Sequence, residues 1–173
     1  MAERPPSGHF NTIAVAPLPG AGLPLFLTPL RAGDAGRLGT AFAAIDPWAS
    51  IPYSPAALTS YFAASEPTAP RYAIRAGETL VGALGVRMNW LRGPYIQFLG
   101  LFPVGQSQRA GSRVLGWFEN EARENSQNNL WVAASDTNTG ALRFYRRHGF
   151  EPVAGLDGLV SDGRTEILLR KRL

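Results

Sequence analysis

Residues 95–119 read YIQFLGLFPVGQSQRAGSRVLGWFE. The first eight are apolar apart from Gln97 and a glycine, and they predict a strand. Val114, Leu115, Trp117 and Phe118 recur at helical spacing, which predicts a long helix over 107–125. Between the two runs lies a polar turn carrying Gly105 and Gly111. A strand that enters a helix through such a turn leaves the first N–H groups of the helix free and directs the positive end of its dipole outward. That arrangement is a cradle for phosphate.

Upstream, RYAIRAGETLVGALGVRMNWLRGPYIQFLGLF divides into three strand-like runs at Ala76-Gly77-Glu78 and Leu91-Arg92-Gly93-Pro94, giving an antiparallel meander. Leu25 to Leu30 reads as a first strand, with Pro29 placing it at an edge or a strand end. Asp34 caps a helix, AGRLGTAFAAI, that stops before Pro47. The loop DPWASIPYSP is rich in aromatics, and Ser54 with Pro55 opens a second helix. Residues 1–23 read as an irregular Pro/Gly-rich arm ahead of a domain spanning 24–173; the arm could be disordered or lie across a neighbouring subunit.

Downstream, NLWVAAS is a buried strand, and NTGALRFYRRHGF is a complete short helix. Asn138 is its N-cap, Gly149 suits the left-handed position after its end, and the arginines between complement the dipole. Asn138 and Tyr145 lie about two turns apart on one face, so one extended ligand could touch both. FEPVA and TEILLRKR close the chain as two strands. The order of elements predicts an α/β fold, a three-layer α/β/α arrangement around a mixed, mostly antiparallel sheet.

The chain has 173 residues, 45% of them hydrophobic, which fits one domain with a sizeable core. The absence of cysteine excludes disulfides, thiolate metal sites and a cysteine nucleophile. With only His9 and His148, far apart in sequence, no metal is expected. The net charge of +4, carried almost entirely by arginine, suits anionic ligands. The start, MAERPPSGHF, lacks the pattern of a signal peptide, and no run approaches the roughly 18 apolar residues of a membrane helix. A soluble protein, cytoplasmic in a bacterium, is expected.

Taken together and in this order, LGLFPVGQSQRAGSRVLGWFE and NTGALRFYRRHGFEPV resemble the GNAT superfamily of N-acetyltransferases, which move an acetyl group from acetyl-CoA to amines. The resemblance covers residues 24–173 and is nearest to the branch that acetylates the N-terminus of a ribosomal protein. The family's turn, Q/R-x-x-G-x-G/A, is matched by Gln106 to Gly111 except that Arg109 stands where glycine is usual. If φ is positive there, arginine carries about 1 kcal/mol of strain, which its guanidinium could offset at a phosphate.

The resemblance implies that the backbone of Leu99, Gly100 and Leu101 pairs with the pantetheine arm and polarises the thioester. It implies that Ser107, Gln108, Arg109, Ala110, Gly111 and Ser112 hold the pyrophosphate and that Asn138 binds the pantetheine region. Tyr145 would be the general acid for the departing thiolate, and acetyl-CoA the cosubstrate. Trp48 and Tyr53 would wall the acceptor channel, the alternative being ordinary packing. Tyr145 too could be a core aromatic and nothing more. Arg109 and Arg113 are candidates for CoA phosphates, whereas Arg143, Arg146, Arg147 and His148 read as a solvated helix end rather than a nucleic-acid patch.

A carboxylate to deprotonate the amine is harder to find. The ribosomal branch has a glutamate five residues before the asparagine, where this chain has Ala133, and Asp136 is either a base or a turn residue. Neutralising a lysine amine of pKa ~10.4 at pH 7 costs about 4.6 kcal/mol, against about 1.4 for an α-amine near ~8. A small-molecule or peptide α-amine is therefore the expected acceptor, by direct attack. The rival expectation is a non-catalytic acyl-CoA sensor. Nucleic acid and membrane are not expected as partners, and a homodimer is left open.

Overall fold

The computed structural model describes residues 15–51 and 53–173. The meander folds as expected, with β3 (Arg71–Ala76), β4 (Thr79–Trp90) and β5 (Gly93–Leu101) pairing antiparallel in sequence order. Two further strands precede them, β1 (Ala16–Pro17) and β2 (Leu25–Pro29), and Pro29 ends its strand as its missing N–H requires. Beyond β5 come β6 (Asn129–Ser135), β7 (Glu151–Asp157) and β8 (Thr165–Arg172). The eight strands form one sheet in the order β1-β2-β3-β4-β5-β6-β8-β7. Every neighbouring pair is antiparallel except β5 with β6.

Side chains that alternate along these strands feed two cores. Leu38 and Phe42 of α1 (Asp34–Ala43) and Leu58 and Phe62 of α2 (Pro55–Ala63) pack with Ala73, Ala83 and Phe98. On the other face, Val114, Leu115, Trp117 and Phe118 pack with Ile74, Val81 and Leu84. Those four residues belong to a helix that starts later than 107. The chain makes one separate turn, α3 (Pro103–Gln106), before α4 (Ala110–Glu124) begins. The last helix, α5 (Thr139–Arg147), has Asn138 Oδ1 accepting from the Ala141 N–H at 3.1 Å and Gly149 at φ 82°.

Two local expectations change. Asp34 does not cap the first turn of α1; its carboxylate accepts from the Arg31 N–H at 2.7 Å and pairs with buried Arg75 at 2.5 Å, and Gly33 in the left-handed region is the N-cap. The expected β4–β5 turn is present, with Leu91 and Arg92 at φ 29° and 60°. Gly93 is needed because a Cβ there would lie 2.1 Å from the Asn129 carbonyl oxygen of β6.

The second change concerns the arm. Its residues 1–14 lie outside the described residues, but 15–23 is no loose tail. Ala16 and Pro17 add a strand to β2, and Arg113 of α4 clamps the segment from Leu18 to Leu23. Its Nε, Nη1 and Nη2 donate to the carbonyls of Pro19, Leu23 and Leu18 at 2.8–2.9 Å. Arg113 is buried by this clamp and is thereby taken away from the phosphate role expected of it. Among the described residues no helix is long and apolar enough to cross a membrane.

Candidate active site

The parallel pairing of β5 with β6 is confined to Tyr95 with Trp131 and Ile96 with Val132, although both strands run on. A bulge explains the separation. Val86 faces Ile96 and Gly85 faces Phe98, so Gln97 is an extra residue on β5. An extra residue bends its strand and breaks the ladder. Beyond it the strands splay, leaving backbone groups of β5 turned into a gap that side chains and α5 only partly fill.

Two cavities occupy this gap. The larger, about 630 Å³, runs from Leu99 and Leu101 of β5 to Arg109, Gly111 and Ser112 at the start of α4, with Asn138, Tyr145 and Arg147 on its α5 side. The smaller, about 370 Å³, lies between the bulged part of β5, the far half of β6 and the 1-turn segment at Trp48–Ser50. Leu99, Asn138, Ala141, Tyr145 and Trp48 line both. Tyr145 therefore stands where the two cavities meet. It is 7% exposed, and burial pushes its phenol well above the usual tyrosine value, so it stays protonated.

The turn before α4 is built for an anion. Arg109 has φ 54° and ψ 28°, the left-handed conformation that its replacement of glycine made conditional. The N–H groups of Gln108 and Arg109 are used within the turn, on the carbonyls of Gly105 and Gln106. The first intrahelical bond is from Arg113 N–H to the Arg109 carbonyl, so the N–H groups of Ala110, Gly111 and Ser112 have no backbone acceptor among the described residues. Three free donors at the positive end of a 15-residue helix, flanked by Arg109 and Arg147, favour negative charge.

The expected residues do not all face the gap. Leu99 and Leu101 do, while Gly100 lies against the other core, where a Cβ would come within 2.5 Å of the Phe42 ring. The Ser107 hydroxyl donates to the Val104 carbonyl at 2.9 Å and so is committed to its own turn. Gln108 lies outside the larger cavity with a buried, unpartnered Oε1, and the side chain of Ala110 is wholly in the core. Gly111 must be small because a Cβ would meet Phe144 of α5 at 3.0 Å. Ser112 is held by His148: Nδ1 lies 2.8 Å from the Phe144 carbonyl, which can only accept, so in the neutral ring Nε2 accepts from the Ser112 hydroxyl at 3.0 Å.

At the smaller cavity Trp48 is both wall and packing, since its ring stacks on Phe98 with centroids 4.7 Å apart. Tyr53, 42% exposed, stands at the mouth. Asp136 is exposed in the turn after β6, with its N–H bonded to the Thr165 carbonyl, and does not line either cavity. Two residues of the smaller cavity escape a reading by motif. Tyr95 lies under the bulge, its phenol pushed up to about 12 by burial and then by Glu166 and Tyr53. Glu166 enters from β8, a strand that no motif marks; its one signal is a carboxylate in phase with buried Leu168, directly before the apolar run Ile167 to Leu169.

The profile of the acetyltransferase (GNAT) family matches residues 40–150, well over half of the chain. An aminoalkylphosphonate N-acetyltransferase of Salmonella typhimurium is 33% identical over 88 residues, which are 47% of this chain and 55% of that protein. The match thus spans little more than half the length of this curated relative. Among solved structures, an acetyltransferase from Thermus thermophilus superposes with a TM-score of 0.70 at 18% identity, covering 86% of this chain and 97% of that one. A GNAT family acetyltransferase from Elizabethkingia anophelis with acetyl-CoA bound gives 0.62 at 15% identity, covering 86% and 98%. At these identities the two structures speak for the fold alone.

Proposed function

The chain belongs to the acetyltransferase (GNAT) family, and from that premise we propose that it is an acetyl-CoA-dependent N-acetyltransferase in which a primary amine attacks the thioester directly and Tyr145 is the general acid. The observation that carries this reading is the pair of cavities meeting at Tyr145. The larger takes the cosubstrate, with its diphosphate on the free N–H groups of Ala110, Gly111 and Ser112 and beside Arg109, and with pantetheine along Leu99, Leu101 and Asn138. Gly100 contributes backbone only, and Ser107, Gln108 and Ala110 serve by shaping the turn rather than by side-chain contact.

The amine arrives from the smaller cavity, walled by Trp48 and Tyr53. A buried phenol whose proton is held firmly can donate to a thiolate only when that thiolate is itself poorly solvated, and the gap between β5 and β6 supplies such a setting. Acetyl transfer needs no enzyme-bound acyl group here, since attacking nitrogen and thioester carbon meet at the junction of the two cavities.

The test is CoA release from acetyl-CoA with a panel of amines, comparing wild type with Tyr145→Phe. A fall in kcat of ten-fold or more with unchanged acetyl-CoA affinity is expected. Tight acetyl-CoA binding with no turnover on any amine would favour an acyl-CoA sensor instead. The name of the Salmonella relative puts aminoalkylphosphonates on the panel.

A further inference from the structure

Resting on the acetyltransferase reading, we propose that Glu166 receives the acceptor: it anchors the ammonium group and takes its proton, and its cavity selects a monocationic primary amine with an apolar body and no acid group.

Placement comes first. Ser135 pairs with Glu166 and Ala133 with Leu168, and partners across an antiparallel ladder point to one side of the sheet. Ala133, Ser135 and Glu166 thus share a face, and all three line the smaller cavity with Tyr145. Glu166 is only 8% exposed, and its carboxylate, unlike its backbone, has neither a hydrogen bond nor an ion pair to another described residue. A largely buried carboxylate that opens onto a cavity and has no protein partner gains from a ligand that supplies the opposite charge.

The rest of the cavity states which ligand. No lysine, arginine or histidine is among its described lining residues, and Glu166 is the sole carboxyl group there. A phosphonate or carboxylate on the acceptor would meet the Glu166 carboxylate with no cationic side chain of the described lining to balance it. The remaining wall mixes neutral polar side chains, Gln97, Ser135 and Asn138, with an apolar and aromatic part: Trp48, Phe98 and Tyr95 within, and Leu159, 59% exposed, at the rim with Val160. A hydrocarbon or aryl body fits such a wall; a second acid group does not.

Protons balance in the proposed step. Glu166 takes one proton from the ammonium, and the neutral nitrogen forms the C–N bond to the acetyl carbon. The C–S bond breaks, the thiolate takes the Tyr145 proton, and the proton then lost from nitrogen restores the tyrosine. Burial first, and the Asp136 charge second, raise the Glu166 carboxyl above its usual value, with Arg164 drawing it back. The phenols of Tyr95 and Tyr145 face the same space. A carboxylate so raised is a stronger base for the amine proton than an exposed one.

Three acceptors separate the outcomes: 2-phenylethylamine, phenylalanine and 2-aminoethylphosphonate, each with wild type, Glu166→Gln and Tyr145→Phe. We expect wild-type kcat/KM for 2-phenylethylamine to exceed that for either acid-bearing amine by 100-fold or more. Glu166→Gln is expected to lower it by about 100-fold at unchanged acetyl-CoA affinity. The acid limb of the wild-type pH profile should be replaced by a slope of one that follows the free amine. If Tyr145→Phe is crippled while Glu166→Gln keeps wild-type rate and profile, the role of Glu166 is overturned and the acetyltransferase reading stands. Equal use of 2-aminoethylphosphonate overturns the selectivity. No turnover on any of the three by wild type overturns this inference, and the acetyltransferase reading falls with it only if the wider panel of amines and peptides is also inert.

Discussion

Arg109 shows how a single residue can be read from sequence only up to a condition. The motif placed an arginine where glycine is usual, and the turn does demand the left-handed conformation. Gly and Ala variants separate the two consequences. Arg109→Gly relieves the strain and Arg109→Ala keeps it, so the first should be the more stable by about 1 kcal/mol, seen in denaturant melts. Both remove the guanidinium and should weaken acetyl-CoA binding alike, by calorimetry. Glu166 makes the complementary case, because its raised carboxyl is a stability statement as well. A folded-state value above the unfolded one gives stability that is present below the unfolded value and lost as pH rises through the folded one. Glu166→Gln avoids that loss. It should melt higher than wild type at pH 7, at roughly 2–4 °C per kcal/mol regained, and no higher near pH 4.

Among the elements, α5 was legible in full, since its cap, its apolar face and its terminal glycine are all local signals. Its start, its end and the shared face of Asn138 and Tyr145 stand where they were expected. The start of α4 was less so: Val114 to Phe118 mark a helix, but α3 and the left-handed Arg109 interrupt it without leaving a periodicity to read. The strap of residues 15–23 was missed because its order comes from a residue about ninety positions away. Arg113→Ala would leave three carbonyls without their charged donor, a loss of about 3 kcal/mol given 1.5–3 per charged hydrogen bond and incomplete additivity. Faster hydrogen exchange over 15–27 with unchanged acetyl-CoA affinity is the expected result; weaker cosubstrate binding would restore the phosphate role.

For the whole molecule, the candidate site depends on a sheet that pairs at one end of β5–β6 and opens at the other. Gly93 sets the closed end, because any Cβ would collide with the Asn129 carbonyl and force the strands apart below Tyr95. Gly93→Ala should therefore destabilise by about 3 kcal/mol, the upper range for overpacking against a rigid neighbour. Gly116→Ala, where the nearest atom is a proline Cγ at 3.6 Å within a helix, should be neutral or stabilise by about 0.5–1. Thermal melts of the two variants check both signs.

By itself the sequence determined the order of the main elements from β2 to β8, the mixed sheet, the glycine-containing turn before α4 and the helical face shared by Asn138 and Tyr145. Each depends on spacing within one run of chain, and period and capping are local physics. Only the tertiary structure decided which residues meet across the gap: Arg113 turned inward on the strap, Ser112 held by His148, and Glu166 brought from the last strand to the cavity that Ala133 leaves without a carboxylate. Those contacts depend on strand register and on the bulge at Gln97, and a register is fixed by pairing between distant segments, which no local pattern encodes.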